Sequence, residues 1–179
     1  MRRFAAFGAI FASTLLLDQW SKAAVRDSIP VSGSLGGKPW PGVFEITLTY
    51  NEGIAFGMLQ GAGIFMSPIA VIIAGLTASL SWRNPKANVW PYHAMLALFA
   101  SGALGNMIDR IRDGKVTDMF WFRAINFPVF NVADVCISIA TLLLLIGAFE
   151  REQPAPEPGA DGELPAASEE LLEENDKST

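Results

Sequence analysis

Residues 89–110 read VWPYHAMLALFASGALGNMIDR. From Val89 to Met107 no residue is charged, and the length is close to the ~20 residues that cross a hydrocarbon core. The second half, Ala100-Ser101-Gly102-Ala103-Leu104-Gly105, is built of small residues, which let helices approach closely in lipid. The segment then turns polar. Asn106, Asp109 and Arg110 stand at i, i+3 and i+4, so they share one helix face. A span that ends in an ionisable face implies a helical membrane protein with its chemistry at one membrane boundary.

The flanking segments extend this reading. A fourth span runs from about Asn131 to Phe149, with Asp134 in its first turn. A second, Ala62 to Trp82, has no charge and carries Pro68 near its start, where a missing N–H costs least. At the N-terminus, Arg2 and Arg3 precede Phe4 to Leu17, and extension to Val25 takes in Asp18 and Lys22. A cleaved signal peptide is the competing reading of that segment. An uncleaved span with a polar outer end fits better, because a charge follows the apolar core directly.

Four spans put both termini on one side. Arg2-Arg3 and the turn Arg83-Asn84-Pro85-Lys86 are short, basic and free of acids, which places that side in the cytoplasm. Two loops then lie outside. In the first, Phe44, Ile46, Leu48 and Tyr50 alternate with Glu45, Thr47 and Thr49, and Val116 to Phe122 is also strand-like. Period two predicts a small sheet resting on the membrane surface. Ser32 to Gly42 is glycine-rich and reads as a loop. The expected fold class is therefore an all-α membrane protein: four transmembrane helices, a small extracytoplasmic sheet and a disordered C-terminal tail.

Composition agrees. Hydrophobic residues make up 51% and charged residues 17%, against roughly 25% charged in a soluble chain. Residues 150–179 hold ten acids and two bases, a net of −8, so the overall −5 leaves +3 on residues 1–149. Two regions follow: a four-span domain over 1–149 and an acidic, proline-containing cytoplasmic tail over 150–179 that buries no core. No basic and aromatic concentration points to nucleic acid.

Cys136 and His93 are the only cysteine and histidine. A cysteine-based zinc site is excluded, and no G-x-S-x-G, H-E-x-x-H or P-loop occurs. Chemistry would rest on carboxylates, lysine or serine, with no metal or cofactor. His93 reads as an interfacial residue and Cys136 as a small core residue. Trp40, Trp82, Trp90 and Trp121 read as interface anchors.

Outside the tail, the acids near the span ends, Asp18, Asp109, Asp118 and Asp134 among them, fall on one membrane side. Each has a structural reading. Asp18 and Lys22, four apart, make a helix ion pair; Asp109 and Arg110 balance a helix end; Asn131 is an N-cap, with Asp134 favoured by the helix dipole. Taken together they suggest more, because two carboxylates in different environments can divide acid and base work on one water. An ion-coupled or lipid carrier is the rival reading. It predicts polar groups near the midplane or on both sides, which this chain does not have.

Five blocks occur in order: Asp18-Gln19-x-x-Lys22, Asn51-x-Gly53-x-Ala55-Phe56, Gly102-Ala103-Leu104-Gly105-Asn106-x-x-Asp109-Arg110, Val116-Thr117-Asp118 and Phe130-Asn131-x-Ala133-Asp134. On these the chain resembles the lipoprotein signal peptidase family, also called signal peptidase II, over about residues 10–149. The resemblance implies an aspartyl endopeptidase of the bacterial cytoplasmic (inner) membrane, with four helices and an extracytoplasmic β-cradle. Its substrates would be diacylglyceryl-modified prolipoproteins, met at the lipid boundary and cut just before the lipidated lipobox cysteine, and globomycin-like inhibitors would occupy the same site. By motif position Asp118 and Asp134 match the catalytic pair. Asp18, Lys22, Asn51, Gly53, Asn106, Asp109, Arg110, Asn131 and Ala133 match supporting positions. The family commonly has Ala at Ile54, Gly at Ser101 and Ala140, and Val at Thr117; these departures flank the polar positions.

Overall fold

A computed structural model describes residues 2–53, 66–83 and 90–151. The chain divides into two units, Met1–Ile146 and Gly147–Thr179, and the site described below lies wholly in the first. The elements in chain order are α1 (Arg2–Ser28), β1 (Ser34–Trp40), β2 (Phe44–Asn51), α2 (Met66–Arg83), α3 (Trp90–Asp113), β3 (Val116–Trp121), a 3-10 turn (Arg123–Ile125) and α4 (Val132–Arg151). Among the described residues, four α-helices thus carry one antiparallel sheet of order β1-β2-β3.

Each expected span coincides with a helix, although residues 62–65 and the turn after Arg83 lie outside the described residues. By length and composition, Met66–Arg83 is the one helix among the described residues apolar enough to cross a membrane, and Val132–Ile146 is a shorter apolar stretch. α1 continues through Asp18 and Lys22 without a break, because the two side chains satisfy each other at 2.9 Å.

The inner surfaces are small and the outer ones large. Ala97, Ala100 and Ala140 cluster with Phe7, Met95 and Leu96 in the core. Ile72 and Leu76 of α2 and Leu142 and Leu145 of α4 are exposed. Large apolar side chains outside and small ones inside are the pattern by which helices associate in lipid. At Gly102 an added Cβ would stand 2.6 Å from the Ala133 carbonyl oxygen and 2.7 Å from Ile137. Glycine there is what lets α3 and α4 meet.

The two expected strands form as β2 and β3, paired as Thr49↔Asp118 and Tyr50↔Thr117. The segment expected as a loop, Ser32 to Gly42, is instead largely an edge strand. β1 pairs with β2 through Ser34↔Thr47, Pro39↔Glu45 and Trp40↔Phe44, with a register shift between Ser34 and Pro39. Gly36 and Gly37 have φ of +59° and +73°, so glycine here absorbs an irregularity inside a strand rather than ending one. His93 is also corrected. It is buried, and its Nδ1 lies 2.9 Å from Ser81 Oγ, so it joins α2 to α3 instead of facing the interface.

Candidate active site

Local sequence places each acid. Gly114, at φ +71°, closes α3 by donating to the Arg110 carbonyl at 3.0 Å, the usual use of a left-handed glycine after a helix. The chain therefore turns directly into β3. Alternation along β3 sends Met119 into the cluster of Val25, Ile29 and Leu48 and turns Val116 and Asp118 to the other face, where they line a cleft. Nine residues after Trp121, Phe130 pairs back onto Phe120, which delivers Asn131 to the start of α4 beside β3.

Asn131 holds both candidate carboxylates. Its Nδ2 donates to Asp118 Oδ1 at 2.7 Å, and its backbone N–H donates to Asp134 Oδ2 at 3.1 Å. Its Oδ1 accepts the Asp134 N–H at 3.0 Å. Asn106, from α3, donates to Asp134 Oδ1 at 2.8 Å and accepts from Asn131 Nδ2 at 3.1 Å. Burial pushes the Asp118 carboxyl up to about 7; the Asp134 charge adds to the rise, while donors from Asn131 and Asn51 and the Lys22 charge oppose it.

Behind this pair lies a buried charge network. Lys22, fully buried, meets Asp18 at 2.9 Å and Asp109 at 3.4 Å and donates to Asn106 Oδ1 at 3.0 Å. Asp18 Oδ1 accepts the Ala133 N–H at 2.9 Å, which ties α1 to the first turn of α4. Asp109 Oδ2 accepts the Thr117 N–H at 3.0 Å. Asp18, Lys22, Asn106, Asp109, Asp118, Asn131, Ala133 and Asp134 thus form one continuous network. Asn51, Gly53 and Arg110 are joined at the end of β2: Asn51 Oδ1 accepts the Gly53 N–H at 3.0 Å, and Arg110 donates to the Gly53 carbonyl at 3.0 Å.

Asp109 and Arg110 serve different neighbours, since adjacent helix positions point about 100° apart. Arg110 lines the cleft, while Asp109 faces Lys22, Arg26 and Arg112. Arg26 was not singled out by sequence reasoning. It donates to Thr117 Oγ1 at 2.8 Å and lies 3.7 Å from Asp109. Its spacing carried a signal: Asp18, Lys22 and Arg26 repeat every four residues along one face. Two departures from the family pattern also find partners, Thr117 with Arg26, and Ser101, which accepts from Thr14 at 2.7 Å. Ile54 lies outside the described residues.

The cleft has a volume of about 950 Å³, and its charged lining residues are Arg110, Asp118 and Asp134. Met66, Ile69 and Ile73 of α2, Val135 and Ile139 of α4, and Phe127, Pro128 and Phe130 supply apolar walls. Two carboxyl groups on shared donors, facing an apolar cleft, can act together on one water and one carbonyl.

Comparison with known proteins gives one answer. A family model described as signal peptidase (SPase) II matches residues 10–150. A lipoprotein signal peptidase of Lactiplantibacillus plantarum is 36% identical over 138 residues, covering 77% of this chain and 90% of that protein. One from Streptococcus thermophilus is 35% identical over 152 residues, covering 85% and 97%. Two solved structures, each a bacterial membrane enzyme, superpose with TM-scores of 0.75 and 0.71 at 25% and 27% identity. They cover 89% and 82% of this chain and 94% of their own.

Proposed function

The chain belongs to the signal peptidase II family, membrane proteases that remove signal peptides from prolipoproteins, and from that premise we propose that Asp118 and Asp134 are its catalytic pair. The observation that carries this reading is Asn131, whose amide and backbone N–H hold the two carboxyl groups at 2.7 and 3.1 Å. Asp134 has an N–H donor on each oxygen and sits at a helix start, so it carries the charge. Asp118, raised to about 7 by burial and then by the Asp134 charge, carries the proton.

In the reaction, Asp134 takes a proton from water as its oxygen bonds to the scissile carbonyl carbon. Asp118 gives its proton to the carbonyl oxygen, forming a neutral tetrahedral diol. Collapse breaks the C–N bond: the amine leaves with the proton held by Asp134, and Asp118 recovers one from the diol. Neither acid forms a covalent bond to substrate.

The substrates are diacylglyceryl-modified prolipoproteins, cut before the lipidated lipobox cysteine. An apolar cleft opening between α2 and α4 suits a substrate that arrives from membrane lipid, and globomycin-like inhibitors would fill the same space. All four helices span the bacterial inner membrane, with both termini cytoplasmic and the acids on the extracytoplasmic face. Cleavage does not need the acidic tail, residues 152–179. No finding supports the carrier reading. Purified protein incubated with a diacylglyceryl-modified lipobox substrate should produce the mobility shift of cleavage. Asp118→Asn and Asp134→Asn should each abolish it while remaining folded and membrane-inserted, and the double variant should be little worse than either. Near-normal turnover by Asp118→Asn, with Asp109→Asn inactive, would transfer the role to Asp109.

A further inference from the structure

Glu45 is a buried acid that the proposed chemistry does not use. Its side chain, on β2, is 2% exposed, yet it lies beside the β1–β2 turn and away from the network around Lys22. Glu45 Oε1 accepts two donors, the Arg123 guanidinium at 2.8 Å and the Gly42 N–H at 2.9 Å. Gly42 stands at φ +75°, the left-handed conformation that glycine adopts readily. Next to this contact, Ala124 N–H donates to the Val43 carbonyl at 3.3 Å, and the Arg123 guanidinium lies over the Trp121 ring at 5.2 Å. An exposed ion pair contributes little. This one has a carboxylate shielded from solvent and a second, backbone donor, so losing Arg123 leaves that acid with the Gly42 N–H alone and without its counter-charge.

The pair secures the segment that leads into the site. From Arg123 the chain makes one 3-10 turn, passes through Asn126 at φ +48°, and returns with Phe127 N–H donating to the Phe122 carbonyl at 3.1 Å. Phe122 and Phe130 then stack, with ring centroids 5.8 Å apart, and Phe127 packs edge-on to Phe130 at 5.9 Å. Phe122, Phe127 and Phe130 line the cleft, and the next residue is Asn131. We propose that Glu45 and Arg123 are a positioning pair: they anchor residues 122–130 to the β1–β2 turn and so set the aromatic wall that receives the apolar part of the substrate beside the scissile bond. This rests on the protease reading above for its substrate. The pair touches neither acid, so its loss loosens the wall and weakens substrate binding while the chemical step continues.

The test measures steady-state cleavage of a diacylglyceryl-modified lipobox peptide, together with hydrogen exchange over residues 122–130. Glu45→Ala and Arg123→Ala should each raise KM about tenfold with kcat within about twofold, the pattern of lost ground-state binding. The double variant should resemble either single one. Arg123→Lys, which keeps the charge, should restore most of the KM. Exchange should quicken at Asn126 and Phe127 but not in α3. Unchanged KM in both alanine variants, or a fall in kcat with KM unchanged, overturns the positioning role. Exchange that stays at the parent rate overturns it as well, without any reference to activity. Asp118→Asn runs beside these variants: activity there defeats the protease assignment of the acids and leaves the exchange result standing.

Discussion

Asn131 and Asp134 close a reciprocal ring at the start of α4. The Asn131 side-chain oxygen accepts the Asp134 N–H at 3.0 Å, and Asp134 Oδ2 accepts the Asn131 N–H at 3.1 Å. This is a capping box with an aspartate at its third helical position. The remaining amide group of Asn131 is free of that task and reaches Asp118. One residue therefore starts a helix and sets the relation between two acids.

The two duties separate by substitution. Asn131→Ser keeps a capping oxygen but loses the donor to Asp118. Both Asn131→Ser and Asn131→Ala leave buried acceptors short of a donor, and Asn131→Ala loses the cap as well, so the serine variant should be the more stable of the two by about 1 kcal/mol. Both should lose cleavage by roughly a hundredfold or more. Because the Asn131 donor lowers the Asp118 pKa, its loss raises that value above about 7. The residual activity of Asn131→Ser should then fall off at higher pH than the parent. A parent-like pH profile would remove Asn131 from the pair.

Stability should depend on Asp118 in a defined direction. Its carboxyl titrates near 7 in the fold against 3.8 for the free group, so between those values the folded protein binds more protons than the unfolded. The parent must lose stability as pH rises through that window and level off above it. Asp118→Asn removes the titration. Relative to the parent it should gain nothing below pH 3.8 and most above pH 7, with a ceiling on the order of a few kcal/mol. Thermal unfolding in detergent at several pH values measures this, and a variant less stable than the parent at pH 8 contradicts it.

Helix approach gives a sharper contrast. A Cβ at Gly105 would stand 2.5 Å from Asp18 Oδ2 and 3.3 Å from the Ala133 side chain, disturbing the bond from Ala133 to Asp18. Gly102→Ala and Gly105→Ala should each cost about 1–3 kcal/mol. At Gly8 and Gly75 an added Cβ meets nothing within 4 Å, so alanine there should be neutral or stabilising by up to about 1 kcal/mol. Equal melting temperatures across all four variants would mean that α3 and α4 do not need the close approach.

Orientation is testable with cysteines introduced into a Cys136→Ser background. An impermeant thiol reagent should label Gly36→Cys but not Asn84→Cys in cells whose outer envelope is permeabilised. The reverse pattern would invert the topology read from Arg2, Arg3, Arg83 and Lys86.

Much of this was legible in the chain itself. Apolar length located all four helices, and period two located β2 and β3, because both signals are local. The ordered polar blocks singled out the candidate site residues through the family resemblance they carry, and ionisable groups near lipid are costly enough to draw attention to them. Where composition misled, at Ser32–Gly42, glycine normally marks a turn, and only pairing to β2 shows it serving a strand irregularity. His93 failed for a similar reason: its place near a helix end suggested an interface, and the partner that buries it, Ser81, lies on another helix.

Sequence alone determined which residues are available for chemistry, and that the acids share one end of the helices. Tertiary structure decided which of them meet. Asp109 is nine residues from Asp118, yet it turns toward Lys22 and Arg26, while Asp118 and Asp134 converge on Asn131. The Glu45–Arg123 pair joins positions far apart in the chain. Periodicity constrains the direction of a side chain only within its own element; the partner across a cleft is set by packing between elements, where two glycines on α3 allow the approach that brings α4 into place.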